Sequence, residues 1–322
     1  MPEAVGKPVP RSIAVFGASG HIGAPLARHV LYRNPDVKLR LITSSESKRD
    51  GLRARFPDDE CVVADLLDPS GLDAALQGIE GIFVVTPSPF DETLAMSNFV
   101  KAVRAADSAV HIVRILGYEP ESLPRRVPEH VRRFGGTAQQ HYVAKTLLDA
   151  SDLPVTYLNV GATYLDNLLA LAPAVRSRRT VVWPDRVIPF IDPRDLGEVA
   201  ANLLLSPDPR HLHQFHTVNN GQDLLTTEEV ADILSDVLKV RLTCETSREA
   251  FVAEHGARIA ARRGAENAAD RILDFIEYEQ GNSAFLALND FAERMLGRKP
   301  TSVRAWLMEH RAHFVGAEDG SA

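Results

Sequence analysis

Residues 13–26 read Ile13-Ala14-Val15-Phe16-Gly17-Ala18-Ser19-Gly20-His21-Ile22-Gly23-Ala24-Pro25-Leu26, and the fold turns on how they divide. Ile13 to Phe16 is the short continuous apolar run of a buried strand, and Ile22 to Leu31 has the pattern of a helix. Between them lie three glycines at G-x-x-G-x-x-G spacing. Gly17 suits a tight turn, Gly20 lets the backbone approach a pyrophosphate, and Gly23 permits close packing of strand and helix. The first amides of the helix are free to meet an anion. A bare glycine triplet says little, but at a strand-to-helix turn it points to a dinucleotide, with Gly17, Ser19, Gly20, His21, Ile22 and Gly23 as the contacts.

Working outward, the same rhythm repeats. Further strands are expected at 37–42, 61–64, 82–85, 111–116 and 155–160, with amphipathic stretches such as 95–106 and 138–150 between them. Apolar strands alternating with helices predict an α/β fold, a doubly wound parallel (Rossmann) sheet covered on both faces. Residues 10–160 form the expected dinucleotide-binding domain. Residues 161–318 form a smaller, mostly helical substrate region, with strands near 187–191 and 214–218 expected to return to the sheet. Thr226 with Glu229 reads as a capping box, and Asp192 before Pro193 as a helix cap.

The 322 residues are 45% apolar and 25% charged, with a formal net charge of −7. That is ordinary globular composition, and the acidic balance argues against a nucleic-acid or membrane-surface binder. Cys61 and Cys244 form no CxxC pair, which reads as reduced thiols. No apolar stretch is long enough to span a bilayer, and Met1 to Pro10 has no signal-peptide pattern, so a cytoplasmic protein is expected. His211, His213 and His216 lack a carboxylate or cysteine at ligand spacing, so no metal site is expected. The sequence leaves room for a homodimer without fixing the assembly.

The second strand ends at Leu41-Ile42-Thr43-Ser44-Ser45 with no acid at its tip, and Lys48 and Arg49 follow. Hydroxyls and cations suit a 2′-phosphate, so NADP(H) is the expected dinucleotide, with NAD(H) left open. Asp65, with Leu66, is placed for the adenine end. Thr86 and Pro87 are placed for the nicotinamide ribose, and Gly117 closes the fifth strand beside them.

These residues resemble the NmrA-like branch of the atypical short-chain dehydrogenases. The resemblance runs from about Ser12 to Phe314. It is carried by Gly17 to Gly23, Ala64-Asp65-Leu66-Leu67-Asp68, Gly81 to Pro87, Ser151-Asp152-Leu153-Pro154, Phe190-Ile191-Asp192-Pro193-Arg194-Asp195 and Leu296-Gly297-Arg298-Lys299-Pro300. It implies either an NAD(P)H-dependent reductase of a small apolar or aromatic acceptor (quinone-, enone- or imine-like) or a regulator that binds the dinucleotide without turnover.

Short-chain dehydrogenases use a Tyr and a Lys at i, i+4 on one helix, the Tyr passing a proton to the substrate. This chain has His141-Tyr142-Val143-Ala144-Lys145, with Tyr142 and Lys145 one residue too close. Counting back from Ser151 without a gap places the family's lysine position on His141, and that register is preferred. The other keeps Lys145 and shortens the helix by about one turn. His141, Lys145 and Tyr142 are therefore the catalytic candidates, and Tyr118, Gly161 and Tyr164 the candidates for the substrate wall. Gly161 stands where many reductases of the family have Arg-Pro, and it resembles the regulators.

Overall fold

The structure is a computed structural model describing residues 6–117, 129, 137–281 and 287–315. The chain opens with β1 (Ser12–Phe16), α1 (Gly23–Arg33), β2 (Lys38–Thr43), α2 (Glu46–Arg55), β3 (Glu60–Val63) and α3 (Leu72–Leu76). It continues with β4 (Gly81–Val84), α4 (Glu92–Ala106), β5 (His111–Gly117), α5 (Thr137–Asp149) and β6 (Val155–Val160). The strands are apolar because both sheet faces are covered: β4 and β6 are buried along their whole length.

A second group follows: β7 (Thr163–Tyr164), α6 (Ala172–Arg178), β8 (Thr180–Val182), β9 (Val187–Ile191), α7 (Pro193–Leu205) and β10 (Phe215–Val218). The last is β11 (Leu224–Thr226), α8 (Thr227–Leu238), β12 (Thr243–Glu245), α9 (Arg248–Arg263), α10 (Ala268–Gln280), α11 (Phe291–Leu296) and α12 (Val303–Glu309). The main sheet is seven-stranded and parallel, in the order β10-β6-β5-β4-β1-β2-β3. Strand order reverses between β1 and β4, and the crevice outside the carboxyl ends of the strands opens there.

Val218 in β10 pairs with Val160 in β6, so the stretch near 214–218 does return to the sheet. The stretch 187–191 does not. It pairs with β11 and β7 in a separate three-stranded sheet. Pro189 stands opposite Leu224 of β11, and β7 pairs only with Phe190 and Ile191, so on that side the ladder begins beyond the proline, which has no N–H to give it. The long amphipathic stretch after Glu249 is two helices, because the chain turns left-handed at Gly264, φ +66°.

One core packs α1, α7 and α11 on one face of the sheet, and a second packs α3, α4 and α5 on the other. A third, around Leu165, Ile188, Leu234 and Trp306, belongs to the C-terminal region. That region is not independent of the sheet. Gly197 of α7 lies so close to α1 that a Cβ there would sit 2.7 Å from the Ile22 carbonyl oxygen. Asp192 caps α7, accepting from the Arg194 amide at 2.8 Å, and Thr226 and Glu229 form the full capping box of α8. Among the described residues no helix is long and apolar enough to cross a membrane.

Asp195, 2% exposed, ties the C-terminal segment to α7. It accepts from Arg298 at 2.8 Å and from the Thr301 amide at 2.6 Å. Asp195→Ala strands that amide and is expected to cost about 1–3 kcal/mol, read as a lower urea midpoint at unchanged slope. An unchanged midpoint would show that the tie contributes nothing.

Candidate functional site

The turn between β1 and α1 is built by contacts that tolerate only glycine. Gly17 sits at φ +73°, and a Cβ there would meet Val85 at 2.8 Å. At Gly23 a Cβ would lie 2.4 Å from the Gly17 carbonyl oxygen. The Gly20 amide closes the turn on that same oxygen at 2.9 Å. The result brings Ser19 to Ile22 to the head of α1, where the helix's unsatisfied amides and dipole favour a pyrophosphate. The residues present fit a dinucleotide: the glycines draw the turn tight onto β1, and no side chain caps the head of α1.

At the adenine side, Ser44 is exposed and Ser45 half-buried between β2 and α2. Lys48 is exposed, while Arg49 is ion-paired to Glu46. Glu46, the first residue of α2, is an acid near the strand tip that the sequence reading passed over. Asp65 accepts from the Leu67 amide at 2.9 Å, holding the turn after β3, and Leu66 is buried beneath it.

At the nicotinamide side, Thr86 is buried over an ion pair that the sequence reading missed. Arg114, fully buried in the middle of β5, donates to Thr86 at 2.7 Å and to Glu92 at 2.6 Å. Gln140 of α5 then clamps the next turn, donating to the Pro87 carbonyl at 2.8 Å and accepting from the Phe90 amide at 3.1 Å. A single arginine inside an otherwise apolar strand was the available signal, since a buried guanidinium requires a carboxylate partner.

His141 and Lys145 do not converge. His141 is buried with Nδ1 2.6 Å from the Gly117 amide nitrogen and 2.5 Å from the Gly117 carbonyl oxygen, accepting from the one or donating to the other according to its tautomer. Burial, then the charge of Arg114, pushes its pKa down to about 3, so the imidazole is neutral at neutral pH. Lys145 turns the other way. Its amine bonds Asp149 at 2.5 Å and lies 5.1 Å from the centre of the Tyr157 ring. The backbone carbonyl of Tyr142 accepts from Thr146. His141 and Lys145 share a helix face, as their spacing requires, but Asp149 lies a further turn along and draws the amine away from the strand ends. Tyr118 lies outside the described residues.

Beyond the carboxyl ends of β5 and β6 opens a cleft of about 840 Å³. Gly117 and Gly161 line it at those strand ends, and His21 connects it to the phosphate turn. Tyr164, Trp183, Phe251, Ile272 and Phe275 form apolar wall. His21 bonds Asp166 at 2.5 Å and meets the Tyr164 ring edge-on at 5.0 Å between centres. Burial raises the Tyr164 hydroxyl above its ordinary pKa, as does Asp166 to a smaller degree, so it stays protonated. Arg186 and Glu279, neither singled out by the sequence, pair at 3.5 Å in the same wall.

Residues 17–181, just over half of the chain, match the family model described as NAD(P)H-binding. The chain is 28% identical over 247 residues to an NAD(P)H azoreductase of Xenophilus azovorans, covering 74% of this chain and 80% of the relative. It is 26% identical over 310 residues to the (4-alkanoyl-5-oxo-2,5-dihydrofuran-3-yl)methyl phosphate reductase of Streptomyces griseus subsp. griseus, covering 94% and 99%. An NADPH-dependent quinone oxidoreductase from Escherichia coli, solved with NADPH, superposes with a TM-score of 0.75 at 20% identity, covering 93% of this chain and 99% of that one.

Gly23→Ala forces a methyl against the Gly17 carbonyl and is expected to weaken NADPH binding tenfold or more in titration; unchanged affinity would move the site elsewhere. The histidines carry a second expectation. His111 is also held at about 3, chiefly by burial. Native His111 and His141 refuse the protons that the unfolded chain accepts below about pH 6.5. Stability is therefore complete above that pH and declines as pH falls below it. Urea midpoints are expected to be lower at pH 5 than at pH 7, and His111→Gln should flatten that difference. Equal midpoints for the wild type would contradict buried neutral imidazoles.

Proposed function

Because the chain belongs to the NAD(P)H-binding family, we propose that it is an NAD(P)H-dependent reductase of a small apolar or aromatic acceptor, quinone-, enone- or imine-like. The observation that carries the reading is the cleft. Aromatic and aliphatic side chains form one part of its wall, and it reaches Gly117 and Gly161, where a dinucleotide laid along the sheet from the Gly17–Gly23 turn brings its nicotinamide. The bound cofactor supplies a hydride, and the chain supplies position. The relatives named as reductases of azo, quinone and unsaturated-lactone compounds support the class of acceptor.

The roles of the residues follow from their surroundings. The phosphate turn binds. Ser44, Ser45 and Lys48 favour NADP(H), although Glu46 shares their corner and neutralises Arg49. His141 acts as a positioning residue: it holds the Gly117 backbone and so the end of β5, and at neutral pH its ring is uncharged and does not serve as a cationic acid. Lys145 belongs to the support of β6, through Asp149, which also accepts from the Tyr157 hydroxyl at 2.8 Å. Protonation of the reduced acceptor then falls to solvent entering the cleft.

The regulatory reading keeps one observation in its favour: no Tyr–Lys pair faces the cleft among the described residues. Steady-state NADPH oxidation with a panel of quinones, enones and azo compounds separates the two. The reductase reading expects turnover with at least one acceptor and a higher kcat/KM with NADPH than with NADH. It also expects Lys145→Ala to change kcat by less than about threefold. His141→Ala should lower kcat about tenfold or more without altering the pH profile between 6 and 8, because no titration of His141 falls there. Binding of NADPH with no oxidation across the panel would leave the regulator.

A further inference from the structure

The wall of the cleft is charged in a way that an apolar acceptor does not explain. Among the described residues four arginines line it, Arg186, Arg258, Arg262 and Arg263, against two carboxylates, Asp166 and Glu279. The chain as a whole carries −7, so this surplus of cations runs against the molecule's own balance. The two carboxylates are engaged, Asp166 by His21 at 2.5 Å and Glu279 by Arg186 at 3.5 Å. Three of the arginines come from the last two turns of α9.

Elsewhere that helix treats its charges differently. At its head, Arg248 is answered by Asp270 at 3.2 Å and Asp274 at 2.8 Å, and Glu254 is met by Arg178 at 2.9 Å. At the cleft, Arg258 has His255 as its hydrogen-bond partner, at 3.2 Å. The pKa of Arg263 is lowered, first by burial and then by the charge of Arg262 beside it. Cations in a last turn suit the helix dipole, which accounts for Arg262 and Arg263. It does not account for Arg258, a turn earlier. Arg258 and Arg262 are i, i+4 and present a common face.

We propose that the cleft takes acceptors bearing an oxyanion substituent (sulfonate, phosphate or carboxylate), with Arg258 and Arg262 holding the anion. The apolar wall then carries the reducible ring. Guanidinium groups meet such oxyanions with paired, charge-assisted hydrogen bonds. The reducible part of the acceptor is turned toward Gly117 and Gly161, and the anion toward α9. This rests on the reading of the cleft as the acceptor site.

The experiment compares a naphthoquinone with its sulfonated counterpart, in wild type and in the Arg258→Gln/Arg262→Gln double variant. Wild type is expected to favour the sulfonate in kcat/KM, with the preference shrinking as salt rises. The double variant should reduce the sulfonate-to-neutral ratio about tenfold or more, and Arg258→Lys/Arg262→Lys should restore part of it. A parallel binding arm uses naphthalene-2-sulfonate, which cannot be reduced, titrated into the NADP-loaded protein. Binding that the Gln variant loses, without any quinone turnover, would sink the reductase reading and support the anion site. Turnover with an unchanged ratio would overturn the anion site and leave the reductase. A variant that raises only the KM for NADPH would assign the arginines to the cofactor and also overturn it.

Discussion

The approach of Gly23 to the Gly17 carbonyl is the constraint on which the rest of the molecule depends. A Cβ at Gly23 would stand 2.4 Å from that oxygen, so helix and strand meet at a distance that only hydrogen allows. From the other side Gly197 presses α7 onto the same turn of α1, with Ile22 and Leu26 the backbone groups it meets. Helix α1 is thus held between the sheet and the C-terminal region by two glycines. Its amino terminus is aimed at the crevice where strand order reverses. The phosphate site is consequently a property of the packed core, and no loop has to close to create it.

The same wedge joins the two halves of the chain. Helix α7 touches α1 and, through Asp192 and Asp195, holds Arg194, Arg298 and the Thr301 amide. Arg194 passes the connection to Glu309 of α12 at 2.6 Å. His21 bonded to Asp166 connects the phosphate turn to the cleft wall. A ligand settling on the glycine turn therefore lies against residues that also shape the acceptor cavity, so cofactor and acceptor share one frame.

How far the sequence could be read follows from how local each feature is. The glycine turn, the Asp192 cap and the Thr226–Glu229 box are set by neighbours in the chain, and each stands as its residues suggest. The sheet was legible from runs such as Ile112-Val113 and Val155 to Val160, because continuous burial leaves a continuous apolar pattern. Strand 187–191 was assigned to the wrong sheet because nothing local says which edge a strand will find. The site's chemistry was harder still. Arg114 with Glu92, Gln140 with the Pro87 carbonyl, and Arg186 with Glu279 join residues 22, 53 and 93 positions apart. Lys145 carried a family-like spacing, yet Asp149, one turn on, decides where its amine goes.

The central claim is that a dinucleotide on the glycine turn presents its nicotinamide directly to an acceptor in the cleft. Isotope transfer tests this most directly. NADPH deuterated on one face of the transferable ring carbon is oxidised by the enzyme and a quinone or enone acceptor, with the product examined by mass spectrometry or, for a quinone, by nicotinamide analysis. The account predicts that one labelled face, and only one, gives up its deuterium, and that an enone product carries it on carbon. Loss of label from both faces alike, or an enone product labelled only from solvent, would contradict a nicotinamide held against the cleft.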